Sequence, residues 1–263
     1  MTFLGLDKRD LRLTFNLFKM MLRDRYLGSA LGGAWAILNP LMLLGLYTFV
    51  FGFVFRSKLP GVDSTFAYSL WLIAGLGPWM ALVESITAGA AAVVGSASMI
   101  KNLSFKAECL PLAAALTGCV PLVVSQIFLV FLLIADGREF SWHLIMVPLV
   151  IVLQFVFVAG ISLFLSSLNV FFRDLSMMLP NVMNILLFTS PIMFPIDVFP
   201  ASIHGLVGYS PFAIIANGYR EPFIHNSVVD TPHMMFLAGI AIVLFISGLA
   251  FFRRLKLHFD SRL

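Results

Sequence analysis

The sequence predicts an all-α integral membrane protein with six transmembrane helices per subunit, and three observations carry that prediction. The 263 residues are 60% hydrophobic and only 11% charged, with a mean hydropathy of +0.98, whereas soluble domains carry about a quarter charged residues. The apolar residues fall in long continuous runs. Each is near the ~20 residues that an α-helix needs to cross a bilayer, and none alternates as a barrel strand would. With the N-terminus on the cytoplasmic side, only Arg56, Lys58, Arg138 and Arg220 of the 17 basic residues fall on outer segments. Retention of Lys and Arg on the inner side therefore places both termini in the cytoplasm. The pI near 9.3 reflects this topology and anionic lipid headgroups, and requires no nucleic acid.

The first element, within a cytoplasmic segment 1–34, is an amphipathic helix over residues 8–25. Leu11, Phe15, Phe18 and Leu22 share one face at helical spacing, while Arg12, Asn16, Lys19 and Arg23 share another, and Arg25 follows. That pattern suits a helix lying in the headgroup plane, or a basic tail that only sets topology. No cleavable leader is expected, because the first apolar run starts 34 residues in and is too long for one.

Residues 35–263 form the membrane domain, with spans at about 35–55, 66–95, 110–135, 144–168, 175–196 and 231–252. The second span has an open inner end, since residues 66–100 carry a single charge, Glu84. A lone carboxylate there is costly unless it faces protein or water. It marks either the channel or subunit interface, or a carboxyl near the inner end of the helix. Pro111 opens the third span, where a first-turn proline costs no hydrogen bond.

Between spans two and three, "SMIKNLSFKAECLPLAA" mixes Lys101, Lys106 and Glu108 with Leu103 and Phe105. A short cytoplasmic helix presenting Phe105 to a partner and an ordinary loop both fit. Phe171, Phe172, Arg173 and Asp174 form a hydrophilic hinge between spans four and five, either capping helix ends or sitting near a substrate or partner contact. Residues 197–230 are too apolar for a solvated loop and too broken by proline and glycine for a span. Two short re-entrant helices, tolerated only where protein or water covers them, would make a gate; an interfacial loop is the other reading. Phe188, Phe194, Phe199, Tyr209 and Tyr219 are channel or gate candidates, though packing against lipid also explains such aromatics.

Catalytic signatures are missing. The chain has no phosphate-binding G-x-x-x-x-G-K-[ST], no H-E-x-x-H and no C-x-x-C, and its five histidines are scattered. Cys109 and Cys119 both lie near the inner face, where a disulfide is not expected. The sequon Asn102-Leu-Ser104 falls on the same inner side and is set aside. A membrane enzyme acting on lipid-linked sugars would need clustered acids or histidines, and none is visible.

Several segments read together resemble one family. "RDRYLGSALGGAWAILNPLMLLGLYTFVFGFVF", "GPWMALVES", "IKNLSFKAECLPLA" and "LNVFFRDL" followed by "SPIMFPIDVFP" resemble, in order, the ABC transporter type-2 permeases of polysaccharide export. That family covers O-antigen, capsule and teichoic acid exporters. Lys106-Ala107 departs from its more usual Pro-Arg. The resemblance implies a homodimer in the bacterial inner membrane, paired with two copies of a separate cytoplasmic ATPase that binds ATP and Mg. This chain itself would then hold no cofactor and no metal. It implies that residues 8–25 form the interface helix, 101–110 the coupling helix and 197–230 the periplasmic gate. The substrate would be an undecaprenyl-pyrophosphate-linked polysaccharide. A permease for a small lipid or drug, and an oligomeric channel that needs no ATPase, are the competing readings.

Overall fold

The structure, a computed structural model, describes residues 7–55, 65–102, 105–137, 140–259 and 262, and every regular element among them is helical. The predicted outer cations Arg56, Lys58 and Arg138, and Leu103 of the coupling segment, lie outside the described residues. Helix α1, Lys8–Asp24, starts with a capping box in which the Asp7 N–H donates to Asp10 Oδ2 at 2.8 Å. Gly28 and Gly32 take positive φ of 82° and 50° in the turn that follows, where a side chain would be strained. That turn redirects the chain into α2, Trp35–Thr48, which continues as a π-turn over Phe49–Val54.

Helix α3, Thr65–Gly95, is the axis of the fold. Of its most apolar window, 83% is buried, against 11% for the stretch Gly32–Val54. Around it pack α2, α5 (Cys109–Ala115), α6 (Cys119–Ala135), α7 (Val147–Asn169), α8 (Asp174–Thr189) and α10 (Pro211–Arg220). Small residues on α3 permit this. A side-chain carbon at Gly77 would run into Ser125, and one at Gly89 into Ser162. The backbones approach closely enough for the Ser85 hydroxyl to donate to Ala115 O at 2.6 Å, the packing mode that replaces the hydrophobic effect between helices in lipid.

Five stretches are long and apolar enough to cross a membrane: Gly32–Val54, Phe66–Gly95, Cys109–Ala135, Trp142–Asn169 and Thr231–His258. They correspond to the first four predicted spans and the last. The predicted span 175–196 differs. Its helix α8 stops after 16 residues, where Ser190 turns extended ahead of Pro191 and Pro195. At ~1.5 Å per residue α8 is about 24 Å long, short of a ~30 Å hydrocarbon core. Residues 190–199 continue without an α-helix, and α9 (His204–Gly208) and α10 follow as two short helices inside the segment predicted to be re-entrant. The predicted coupling helix 101–110 also differs: α4 spans Ala97–Asn102, and residues 105–108 form a turn into α5.

The last helix α11, Thr231–Leu255, lies along α7. Gly160 on α7 and Gly248 on α11 set their separation. A Cβ at Gly160 would sit 2.6–2.8 Å from the Leu244–Phe245 backbone, and one at Gly248 would sit 2.6 Å from Gly160 O. Backbone cannot yield as a side chain can. Gly160→Ala should therefore cost about 1–3 kcal/mol through overpacking, read as a lower thermal midpoint of the purified chain. Gly239→Ala on α11, with open space around it, should leave the midpoint unchanged or slightly raised.

Candidate functional site

Residues predicted to share the cytoplasmic face are brought together at one end of the bundle. Helix α1 packs on α5 through Leu17, with Leu13, Phe18 and Met21 against Cys109, Leu110, Ala113 and Phe105. Leu11 and Phe15, on the predicted apolar face, stay exposed, and Leu22 is half-buried. The helix thus carries two apolar strips, one docked on protein and one left outward, beside the exposed polar strip Arg12, Asn16, Lys19 and Arg23. The Lys106 ammonium donates to Asp10 Oδ2 at 2.5 Å, tying the coupling segment to α1. Through that hydrogen bond it holds the Asp10 carboxyl below its ordinary value. A groove of ≈ 970 Å³ runs between them, lined by Arg9, Arg12, Asn16, Met99 and Phe105 among others. Lys101, on α4, is exposed.

Glu108 is not on that surface. Its side chain is 1% exposed and accepts from Lys256 Nζ at 2.8 Å and Arg253 Nε at 3.2 Å, both from the end of α11 and the turn after it. Burial pushes the carboxyl up, and the bonds from Lys256 and Arg253 outweigh it, so Glu108 titrates below its ordinary 4.5. Phe171 joins this end of the molecule too, its ring 6.3 Å from Phe259.

The hinge itself is fixed by a residue that sequence reading passed over. Buried Asn169 donates to Ala90 O on α3 at 3.1 Å and accepts from the Ser176 N–H at 3.2 Å. It thereby satisfies a first-turn amide of α8 that would otherwise lack a partner. Phe172, Arg173 and Asp174 stand exposed around it.

Deeper in the bundle, Glu84 on α3 has a partner 59 residues away: Arg25, just past α1, donates to its Oε1. The Thr117 hydroxyl lies 3.3 Å from the same oxygen. On one side of this pair is a cavity of ≈ 290 Å³ among α2, α3, α6 and α8, lined by Tyr47, Trp79, Asn39 and Asn184. On the other is a cleft of ≈ 700 Å³ toward α1 and α4.

At the opposite end a buried arginine anchors the segment after α8. Arg220 donates to the carbonyls of Trp71 (3.2 Å), Pro191 (2.6 Å) and Ile192, with its guanidinium 3.5 Å over the Trp71 ring. Tyr219 is fully buried and donates to Gln154 Oε1 at 2.7 Å. Phe194 packs edge-on against Phe51 at 6.2 Å, and Phe199 is half-buried. Tyr209 stacks on His233 at 4.5 Å, while Phe188 is exposed. Among the described residues no group of histidine, cysteine and acidic side chains could hold a metal ion.

Comparisons with known proteins agree on one family. The family described as "ABC-2 type transporter" matches residues 12–224. An O-antigen export system permease protein RfbA of Klebsiella pneumoniae is 32% identical over 240 residues, 90% of each chain. The protein of the same name from Myxococcus xanthus is 26% identical over 88% of each chain. The polysialic acid transport protein KpsM of Escherichia coli is 23% identical, over 90% of this chain and 91% of its own.

Proposed function

Because the chain belongs to the ABC-2 type transporter family, we propose that it is the membrane subunit of an ATP-driven exporter of lipid-linked polysaccharide. The observation that carries this reading is the end-to-end similarity to permeases named for O-antigen export, 90% of both chains. The substrate is an O-antigen-type glycan on undecaprenyl pyrophosphate, taken from the inner leaflet of the bacterial inner membrane. Capsule and teichoic acid belong to the same substrate class.

In this reading α8 and residues 190–199 together make a sixth passage through the bilayer, and both termini face the cytoplasm. Two copies of the chain enclose one channel. Supporting that, α2 and α8 leave Asn39, Asn181 and Asn184 exposed among mostly apolar neighbours. Amides turned to lipid are costly, whereas a wet lumen or a second copy satisfies them. Energy comes from two copies of a separate ATPase docked on the groove that α1 forms with Met99, Phe105 and Lys106. Helices α9 and α10 form the outer gate.

The test is co-expression with the candidate ATPase and purification through a tag on this chain alone. A two-plus-two complex that hydrolyses ATP is expected, and Phe105→Ala, which truncates an aromatic lining the groove, should weaken capture about tenfold or more. A chain that purifies as a stable oligomer and never captures the ATPase would leave the ATPase-independent channel as the reading.

A further inference from the structure

The Arg25–Glu84 pair stands between two hollows. The same three side chains, Arg25, Glu84 and Thr117, line both the ≈ 290 Å³ cavity among the spans and the ≈ 700 Å³ cleft open toward α1 and α4. The two halves of the pair are unequally held. Glu84 is fixed on the central helix, 18% exposed, with Thr117 against its bonded oxygen. Arg25 lies in the turn after α1 and its side chain is 48% exposed, so the guanidinium can be reached from the cleft.

We propose that this pair is an anion-operated latch: a lipid phosphate arriving in the cleft takes the guanidinium from Glu84, and the parted pair joins the cleft to the cavity. An arginine fork matches phosphate oxygens two at a time, a geometry that a single carboxylate oxygen does not use up. Asp24 also lines the cleft, so the incoming group must take the guanidinium from Glu84 with a second acid along its path. That favours a pyrophosphate over the singly charged phosphodiester of an ordinary headgroup. Beyond the latch, Asn39, Asn184 and Tyr47 line the cavity with the amides and aromatic face suited to a sugar. The naming of the pyrophosphate lipid as ligand rests on the export reading; the competition for Arg25 does not.

The experiment uses the purified full-length chain in phosphatidylcholine nanodiscs, with undecaprenyl pyrophosphate or phosphatidylglycerol as the probe, and reads retained lipid by native mass spectrometry. Glu84→Gln removes the competing charge and should tighten pyrophosphate-lipid binding about five- to tenfold. Arg25→Gln should weaken it about tenfold, from loss of a charge-assisted bond, with Arg25→Lys between. A merely structural ion pair predicts a change in the same direction for both, because breaking it from either side does the same damage. Both variants losing binding together, or neither changing, would overturn the latch. Should Arg25→Gln not fold, the order Glu84→Gln, native, Arg25→Lys still decides. Phosphatidylglycerol binding as tightly as the pyrophosphate lipid would overturn the substrate as the ligand. No ATPase is present, so loss of the export reading, seen as failed ATPase capture, is a separate result.

Discussion

Replacing Arg220 with methionine should destabilise the chain by about 3–5 kcal/mol, the sum expected for buried carbonyls left without a donor. The side chain is 1% exposed, and the acceptors it serves are backbone carbonyls that have nowhere else to turn. Without it, Pro191 O and Ile192 O lose their donors beside a protein wall, at about 1–3 kcal/mol for each buried group left unmade. Gly75 shows how closely the site is fitted, since a side-chain carbon there would run into the guanidinium. Methionine fills part of the volume and none of the bonding. Arg220→Lys keeps the charge but not the flat fork that stacks 3.5 Å over Trp71, so it should fall between. Thermal denaturation of the purified chain reads the effect as a midpoint lowered by about 6–20 °C. A loss under about 1 kcal/mol for methionine would mean that the carbonyl cage contributes nothing. Beyond stability, the cage holds residues 191–192 against α3, and the Tyr68 hydroxyl holds Met193 O at 2.7 Å. The elbow after α8 is thus a fixed point, held to α3 ahead of the exposed α9 region.

Arg220 also shows where sequence reading stops. It was legible as one of four outer cations, because charge placement is a property of the chain read in order. That it is buried among carbonyls of α3 and of the segment after α8 depends on how α8 ends. The long apolar runs were legible for the same reason as charge placement: length and hydropathy are local. The run 175–196 misled because Pro191 and Pro195 end a helix that hydropathy alone continues. Glu84 could be singled out as a lone acid, but its partner Arg25 lies 59 positions away, beyond any periodicity. Glu108 looked like a surface charge in a hydrophilic segment, and only folding of the α11 end beneath α5 buries it. Asn169 carried no signal at all. A polar residue ending an apolar run is common, and its bonds to Ala90 O and the Ser176 N–H appear only once α3 and α8 are set side by side.

The second large effect is expected where α11 ends. Arg253→Met with Lys256→Met leaves Glu108 buried and stripped of both cations, which should cost about 3–5 kcal/mol. Glu108→Gln alone should cost less, about 1–2 kcal/mol, because a neutral amide still accepts a hydrogen bond and the two cations, about a third exposed, recover water. Adding Glu108→Gln to the double variant should then restore part of the loss, since the buried charge is gone. Acidity separates this account from simple packing damage. In the native chain Glu108 titrates below 4.5, so its contribution holds through neutral pH and is lost only as pH falls through that lowered value. In the double variant burial, the largest influence, outweighs the backbone hydrogen bond that remains and raises the carboxyl above its unfolded value. The folded state then binds the extra proton, and stability rises as pH falls from 7 toward 4.5. Thermal midpoints at pH 7 and pH 5 should therefore stay level for the native chain and rise at pH 5 for the double variant. Equal midpoints for the double variant at both pH values would mean that Glu108 draws nothing from the α11 end.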